Sequence, residues 1–265
     1  MSKKALLCGW LVALCVGLVV VPVSARAAGS ASPAPGAAAV AEPVINPEHW
    51  MADEARWIHA RPLNGIIVPG SHDTATYGLQ GADHYWAGTQ DIDITTALND
   101  GIRFFDLRVK YKDWGGAAGA DCWGYHGASI SENLRFGQML DQIVRWAVAP
   151  GHQRELILLS LSINQDGAPF PTRDCENFRR ALGSQLLQPS DLTKLGVSDP
   201  YQATYGQLWS LPGHPHVMSD DARCTGEAWP AADAAQGQNG AFGSYYANQC
   251  EAGPYPGPYF QIWPG

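Results

Sequence analysis

From about Pro47 onward, short apolar runs alternate along this chain with stretches of helical period. Runs of strand length fall at 66–68, 104–109, 123–125, 156–161, 216–219 and 259–262. Between them, Phe136, Met139, Leu140, Ile143, Val144 and Ala147 recur at three- and four-residue steps. That spacing predicts a helix over 131–149, with Ser131 as its N-cap and Gly151 just past its end. Shorter helices are expected at 174–182, opening on a capping Asp174, and at 93–99, stopping before Gly101. The run "ELILLSLS" is apolar on both faces, as a buried parallel strand should be. Alternation of this kind predicts an α/β fold with parallel strands and crossover helices, and the length suits a (β/α) barrel of ~250 residues. Six strands can be counted and 221–258 reads as a long aperiodic loop. The expectation is therefore a distorted TIM-type barrel lacking its last strands.

The amino end follows another pattern. Lys3 and Lys4 precede an apolar run over 5–21, and small-residue sites follow at Ala25 and Ala27. This reads as a secretory signal peptide over 1–27. A membrane anchor is the rival, because the run approaches the ~20 residues that span a bilayer, but the small-residue exit and the lack of a basic flank favour cleavage. A Pro/Ala/Gly-rich linker over 28–46 then leads into a domain over 47–265, expected to be secreted, soluble and monomeric.

Net charge is −8, and loss of Lys3, Lys4 and Arg26 with the leader makes it more acidic. That argues against a nucleic-acid partner and against bulk attraction to anionic membranes. Beyond the leader, Cys122, Cys175, Cys224 and Cys250 suit two disulfides in an oxidising compartment, with three pairings open. No Cys-x-x-Cys pair supports zinc. Trp86, Trp114, Trp123, Tyr245, Tyr246, Tyr259 and Trp263 offer an aromatic rim for transient contact with a membrane interface, or packing beneath loops.

Chemistry concentrates near three strand ends. "IIVPGSHDTATYG" ends its apolar run in His72 and Asp73; "GIRFFDLRVKY" sets Asp106 and Arg108 two apart, on one face; "CWGYHGAS" ends in His126. Each feature alone is ordinary: a hydrogen-bonded histidine, an interior ion pair, a turn. Together they form a kit in which one imidazole removes a proton, another delivers one, carboxylates orient them and a guanidinium holds an anion. The four histidine and carboxylate groups could also ligate a metal, but Arg108 beside Asp106 places a permanent cation there. No cofactor or metal is expected.

"NGIIVPGSHDTATYGL", "TQDIDITTALNDGIRFFDLRVKY" and "YHG" resemble the X region of phosphatidylinositol-specific phospholipase C in its bacterial form, over about Trp50 to Ser219. The resemblance implies a distorted barrel that cleaves a phosphoinositide-type lipid, or a related phosphodiester, by internal attack. It implies His72 as general base, His126 as general acid assisted by Asp73, Arg108 as the phosphate cation, and Asp106 as the residue orienting imidazole and guanidinium. Asp73 and Arg108 match the metal-independent branch. Ser162, Ser219 and Asp220 stand where basic headgroup contacts are expected, which leaves the headgroup open. The late carboxylate that pairs with the base is not recognisable, so the chain reads as C-terminally truncated, with His72 lacking its partner and losing basicity. Two rival readings are a metal-dependent glycerophosphodiesterase or sphingomyelinase-like enzyme, and an inactive barrel binding a lipid or sugar phosphate.

Overall fold

The computed structural model describes residues 45–116, 119–165, 167–197, 202–227 and 261–263. Residues 1–44, on which the expected leader and most of the expected linker fall, and Cys250, Tyr245, Tyr246 and Tyr259 lie outside them. Among the described residues no helix is long and apolar enough to cross a membrane.

Seven described strands form one sheet: β1 (Pro69–Ser71), β2 (Phe104–Asp113), β3 (Ala120–His126), β4 (Ser129–Arg135), β5 (Ile157–Asn164), β6 (Val217–Ser219) and β7 (Gln261–Trp263). The order β7-β1-β2-β5-β6 is parallel throughout, which is the α/β core the alternation predicts. Its outer strands β6 and β7 do not pair with each other, so the described sheet is an open, incomplete barrel.

Two expectations need correction. The first strand is not 66–68 but begins at Pro69, where pairing with β2 starts at Gly70 and Phe104. Ile66 and Val68 are buried while Ile67 is 57% exposed, so the β-branched run packs by alternation without a neighbouring strand. The helix expected over 131–149 spans only Phe136–Ala147, because 129–135 forms β4, antiparallel to β3. Ser131 is still a local cap of another kind. Its hydroxyl accepts from the N–H groups of Asn133 and Leu134 and donates to the Gly78 carbonyl.

The helix Phe136–Ala147 buries Phe136, Met139, Leu140, Ile143, Trp146 and Ala147, the stripe that its spacing dictates. Asp93 caps Ile94–Asn99 by accepting from Thr96 N–H at 2.7 Å. Asp174 instead lies inside the first turn of Thr172–Leu182, after Pro171. These three helices cover one face of the sheet, against Phe105, Leu107, Leu159, Leu161 and Val217. The other face packs Phe104, Leu158 and Met218 against Met51, Leu63 and Leu208. Among the described residues one disulfide is formed, Cys175–Cys224, joining Thr172–Leu182 to the turn after β6, and a second expected pair would need Cys250, outside them. Cys122 is a buried thiol, pushed up to about 11 by burial first and then by Asp121 and Asp174.

Candidate active site

Register builds the site in levels. Gly70, Phe104, Leu158 and Met218 stand abreast on β1, β2, β5 and β6. Three of these four are buried apolar side chains, forming a dry floor. Side chains repeat on one face every second residue. Continuing the register by two therefore brings His72, Asp106, Ser160 and Asp220 to the next level, and by two more Arg108 and Ser162. The polar residues thus sit where the strands run out of hydrophobic floor.

The turn after β1 sets His72 and Asp73. The strand ends at Ser71, and Asp73 takes a left-handed conformation (φ 49, ψ 44), which aspartate tolerates better than most residues. Alternation would send neighbours to opposite faces, but this turn aims both inward. His72 Nδ1 lies 3.1 Å from Asp106 Oδ2, and His72 Nε2 lies 3.1 Å from Asp73 Oδ2. The Asp73 backbone N–H donates to Asp106 Oδ2 at 3.2 Å. Thr89 and Gln90 donate from their side chains to the His72 carbonyl, fixing the turn from outside.

Arg108 joins the two carboxylates. Its Nε is 2.6 Å from Asp73 Oδ1 and 3.1 Å from Asp106 Oδ2, and its Nη2 is 3.1 Å from Asp106 Oδ2. Asp73 is fully buried, and its oxygens meet these cations at charge-contact distance without an aligned hydrogen bond among the described residues. Burial alone would raise the Asp106 carboxyl, but the bonds from His72 and Arg108 outweigh it and hold the group below its usual range. His72 is raised to about 10, chiefly by its bond to Asp106, then by Asp73, against the opposing effect of burial. Asp106, on β2, thus raises the basicity of His72 and holds its ring, the orienting role the resemblance implies.

His126 arrives by a route the sequence pattern did not show. β2 overruns the parallel sheet to Asp113, and β3 returns antiparallel with Val109 opposite Gly124. The pairing ends at Val109 and Gly124, and His126 closes β3 two residues further on, beside the charged cluster. Its Nε2 is 3.3 Å from Asp73 Oδ2, the same oxygen that faces His72. Its Nδ1 lies 3.0 Å from the Ala87 carbonyl, which can only accept. Nδ1 therefore carries hydrogen, and Nε2 is the ring nitrogen turned toward Asp73. The structure thus brings all five sequence-predicted residues, His72, Asp73, Asp106, Arg108 and His126, into one cluster.

Beside the cluster opens a cleft of about 540 Å³ lined by Tyr125, Ser162, Asn164, Asp220 and Arg223, among others. Asp220 is buried, accepts from Ser160 Oγ and Leu161 N–H, and is pushed up to about 8 by burial. Sequence reading missed Thr89, Gln90 and the Ala87 carbonyl as positioning groups, because a backbone oxygen and a short polar pair leave no pattern. Of the expected aromatic rim, Trp86 is 81% exposed, but Trp123 is buried and donates to the Lys112 carbonyl.

No protein-family model matches the chain. It is 26% identical over 211 residues to PI-PLC X domain-containing protein 1 of Danio rerio, covering 69% of this chain and 63% of that protein. It is 29% identical over 136 residues to a 1-phosphatidylinositol phosphodiesterase of Staphylococcus aureus (strain Newman), covering 51% and 40%. A solved structure of the S. aureus phosphatidylinositol-specific phospholipase C aligns with TM-score 0.39 and 27% identity, covering 51% of this chain and 41% of that one. The chain spans between two fifths and two thirds of the length of these curated relatives. The resemblance to the phosphatidylinositol-specific phospholipase C X region, read first from three motifs, extends over about two thirds of this chain in the match to the Danio rerio protein.

Proposed function

We propose that this relative of the phosphatidylinositol-specific phospholipase C X-region proteins is a secreted, metal-independent phosphodiesterase that cleaves a phosphoinositide-type lipid by internal attack. The observation that carries this is the convergence of two imidazoles on one oxygen of Asp73, with Arg108 against both carboxylates.

The steps follow from these positions. A lipid phosphate binds at Arg108, whose planar guanidinium matches two phosphate oxygens. The ring hydroxyl next to the phosphate presents its hydrogen to His72 Nε2 in place of Asp73, while Asp106 keeps Nδ1 oriented. As the hydroxyl oxygen bonds to phosphorus, its proton passes to His72. The bond from phosphorus to the diacylglycerol oxygen breaks, and His126 Nε2 delivers a proton to that oxygen. The products are a cyclic inositol phosphate and diacylglycerol.

His72, Asp73 and Asp106 lie close enough together to ligate a cation. Arg108, in contact with both carboxylates, already supplies positive charge there and would repel a divalent ion. The cleft beside the cluster suits a polyhydroxylated ring, since its lining offers hydroxyl, amide and carboxylic acid groups. Tyr85 and Trp86 are 79% and 81% exposed on the helix Gly81–Ala87, whose last residue anchors His126, so an aromatic surface at the lipid interface adjoins the proposed acid.

Phosphorus NMR of the protein with phosphatidylinositol in detergent micelles and excess chelator tests this. A cyclic inositol phosphate signal, absent with His72→Ala, is expected. No product from folded wild-type protein would overturn the reading and leave a lipid- or sugar-phosphate-binding barrel.

A further inference from the structure

The amino ends of the parallel strands carry a second polar cluster, on the opposite side of the apolar floor. Arg103, immediately before β2, and Glu155, just before β5, form an ion pair at 2.8 Å with both side chains fully buried. Arg103 also donates to the carbonyls of Pro47 and Glu48, and Glu155 accepts from the N–H groups of Met51 and Ala52. These bonds hold the turn 47–53 against the amino face and carry Glu48 and His49 to His152.

His152 is buried and stacked on the Trp146 indole, with ring centroids 3.7 Å apart and planes 8° from parallel. Its Nδ1 lies 2.6 Å from the Trp146 carbonyl, an acceptor only, so Nδ1 carries hydrogen. Nε2 then faces Glu48 Oε1 at 3.0 Å, with a lone pair toward an acceptor oxygen. Nε2 and Oε1 thus turn their lone pairs toward one point, the arrangement a shared cation satisfies. His49 supplies a third donor: its ring centroid is 5.1 Å from that of His152, and the ligand atoms of Glu48, His49 and His152 all lie within 4.8 Å of one another.

We propose that Glu48, His49 and His152 form a zinc-type divalent metal site that clamps the amino-terminal turn to the sheet. Two imidazole nitrogens and one carboxylate oxygen are a borderline-soft set that suits zinc over calcium or magnesium. Glu48 is 38% exposed, which leaves water access to a fourth position. The Nδ1–H bond to a carbonyl is the outer contact that fixes the tautomer of a metal-bound histidine. Glu48 and His152 are 104 residues apart, so a shared ion ties distant segments together. At the amino face of a barrel such a site serves stability rather than catalysis.

The test uses untagged protein freed of metal by chelation, titrated calorimetrically with zinc chloride, with cobalt(II) absorption to report the ligand set. About one equivalent of zinc should bind, and a hundredfold excess over Kd should raise Tm by roughly 5–10 °C. Calcium and magnesium should produce neither effect. Binding should be lost in His49→Ala and in Glu48→Gln, which keeps a neutral hydrogen-bonding group beside His152, and retained in His72→Ala. If His49→Ala fails to fold, Glu48→Gln decides. No zinc uptake by the wild type overturns the site, as does uptake lost in His72→Ala and kept in Glu48→Gln, which would move the metal to the phosphodiester cluster.

Discussion

One oxygen of Asp73 stands 3.1 Å from His72 Nε2 and 3.3 Å from His126 Nε2, so a single atom links the proposed base to the proposed acid. His72→Ala or His126→Ala should each lower kcat by roughly 10²–10⁴-fold, the usual worth of a general base or acid, measured by phosphorus NMR turnover. His72 must be neutral to accept a proton, so kcat/KM should rise with pH through the neutral range toward about 10. Asp106→Asn removes the largest cause of that elevation, so the acid limb of the profile should move to lower pH. Stability has the opposite trend. A folded pKa of about 10 against an unfolded 6.5 means the His72 contribution is fully present below pH 6.5 and is lost as pH climbs through 10. Its size is on the order of a few kcal/mol. Urea midpoints between pH 6 and 10 should fall in the wild type and fall less in His72→Gln.

The hairpin β3–β4 is the element that completes the site, and its position depends on a glycine. A Cβ on Gly124 would come within 2.7 Å of the Ala75 carbonyl oxygen, a backbone atom with little room to yield. Gly124→Ala should displace β3 from the turn after β1, at a cost of about 1–3 kcal/mol. Two residues along, His126 should move with it, so turnover should fall by more than the small change in Tm alone would give. The hairpin was only half legible in the sequence. "CWGYH" reads as a strand, but from Ser131 onward "SENLR" lacks a clear alternation of apolar residues and contains helix formers, so it reads as the start of the helix instead. The helical stripe itself was legible because burial against the sheet selects every third or fourth residue.

Across the whole molecule, the disulfide Cys175–Cys224 closes a span of 49 residues between a covering helix and the turn after β6. Chain entropy assigns such a loop about 4 kcal/mol, so reduction should lower Tm markedly in a calorimetric scan. At the lipid surface, Trp86→Ala should weaken turnover on vesicles several-fold while leaving a soluble, short-chain substrate unaffected, as the aromatic contributes through the interface alone. The sequence by itself determined the α/β class, most of the parallel core strands and the five residues that the fold brings into one cluster, because strand alternation and short motifs are local properties. Only the tertiary structure decided that one Asp73 oxygen faces both imidazoles, that Arg108 touches both carboxylates, and that His126 reaches them along an antiparallel return. Those facts depend on register between strands and on a left-handed turn at Asp73. Such long-range geometry is set when the sheet assembles over its apolar floor.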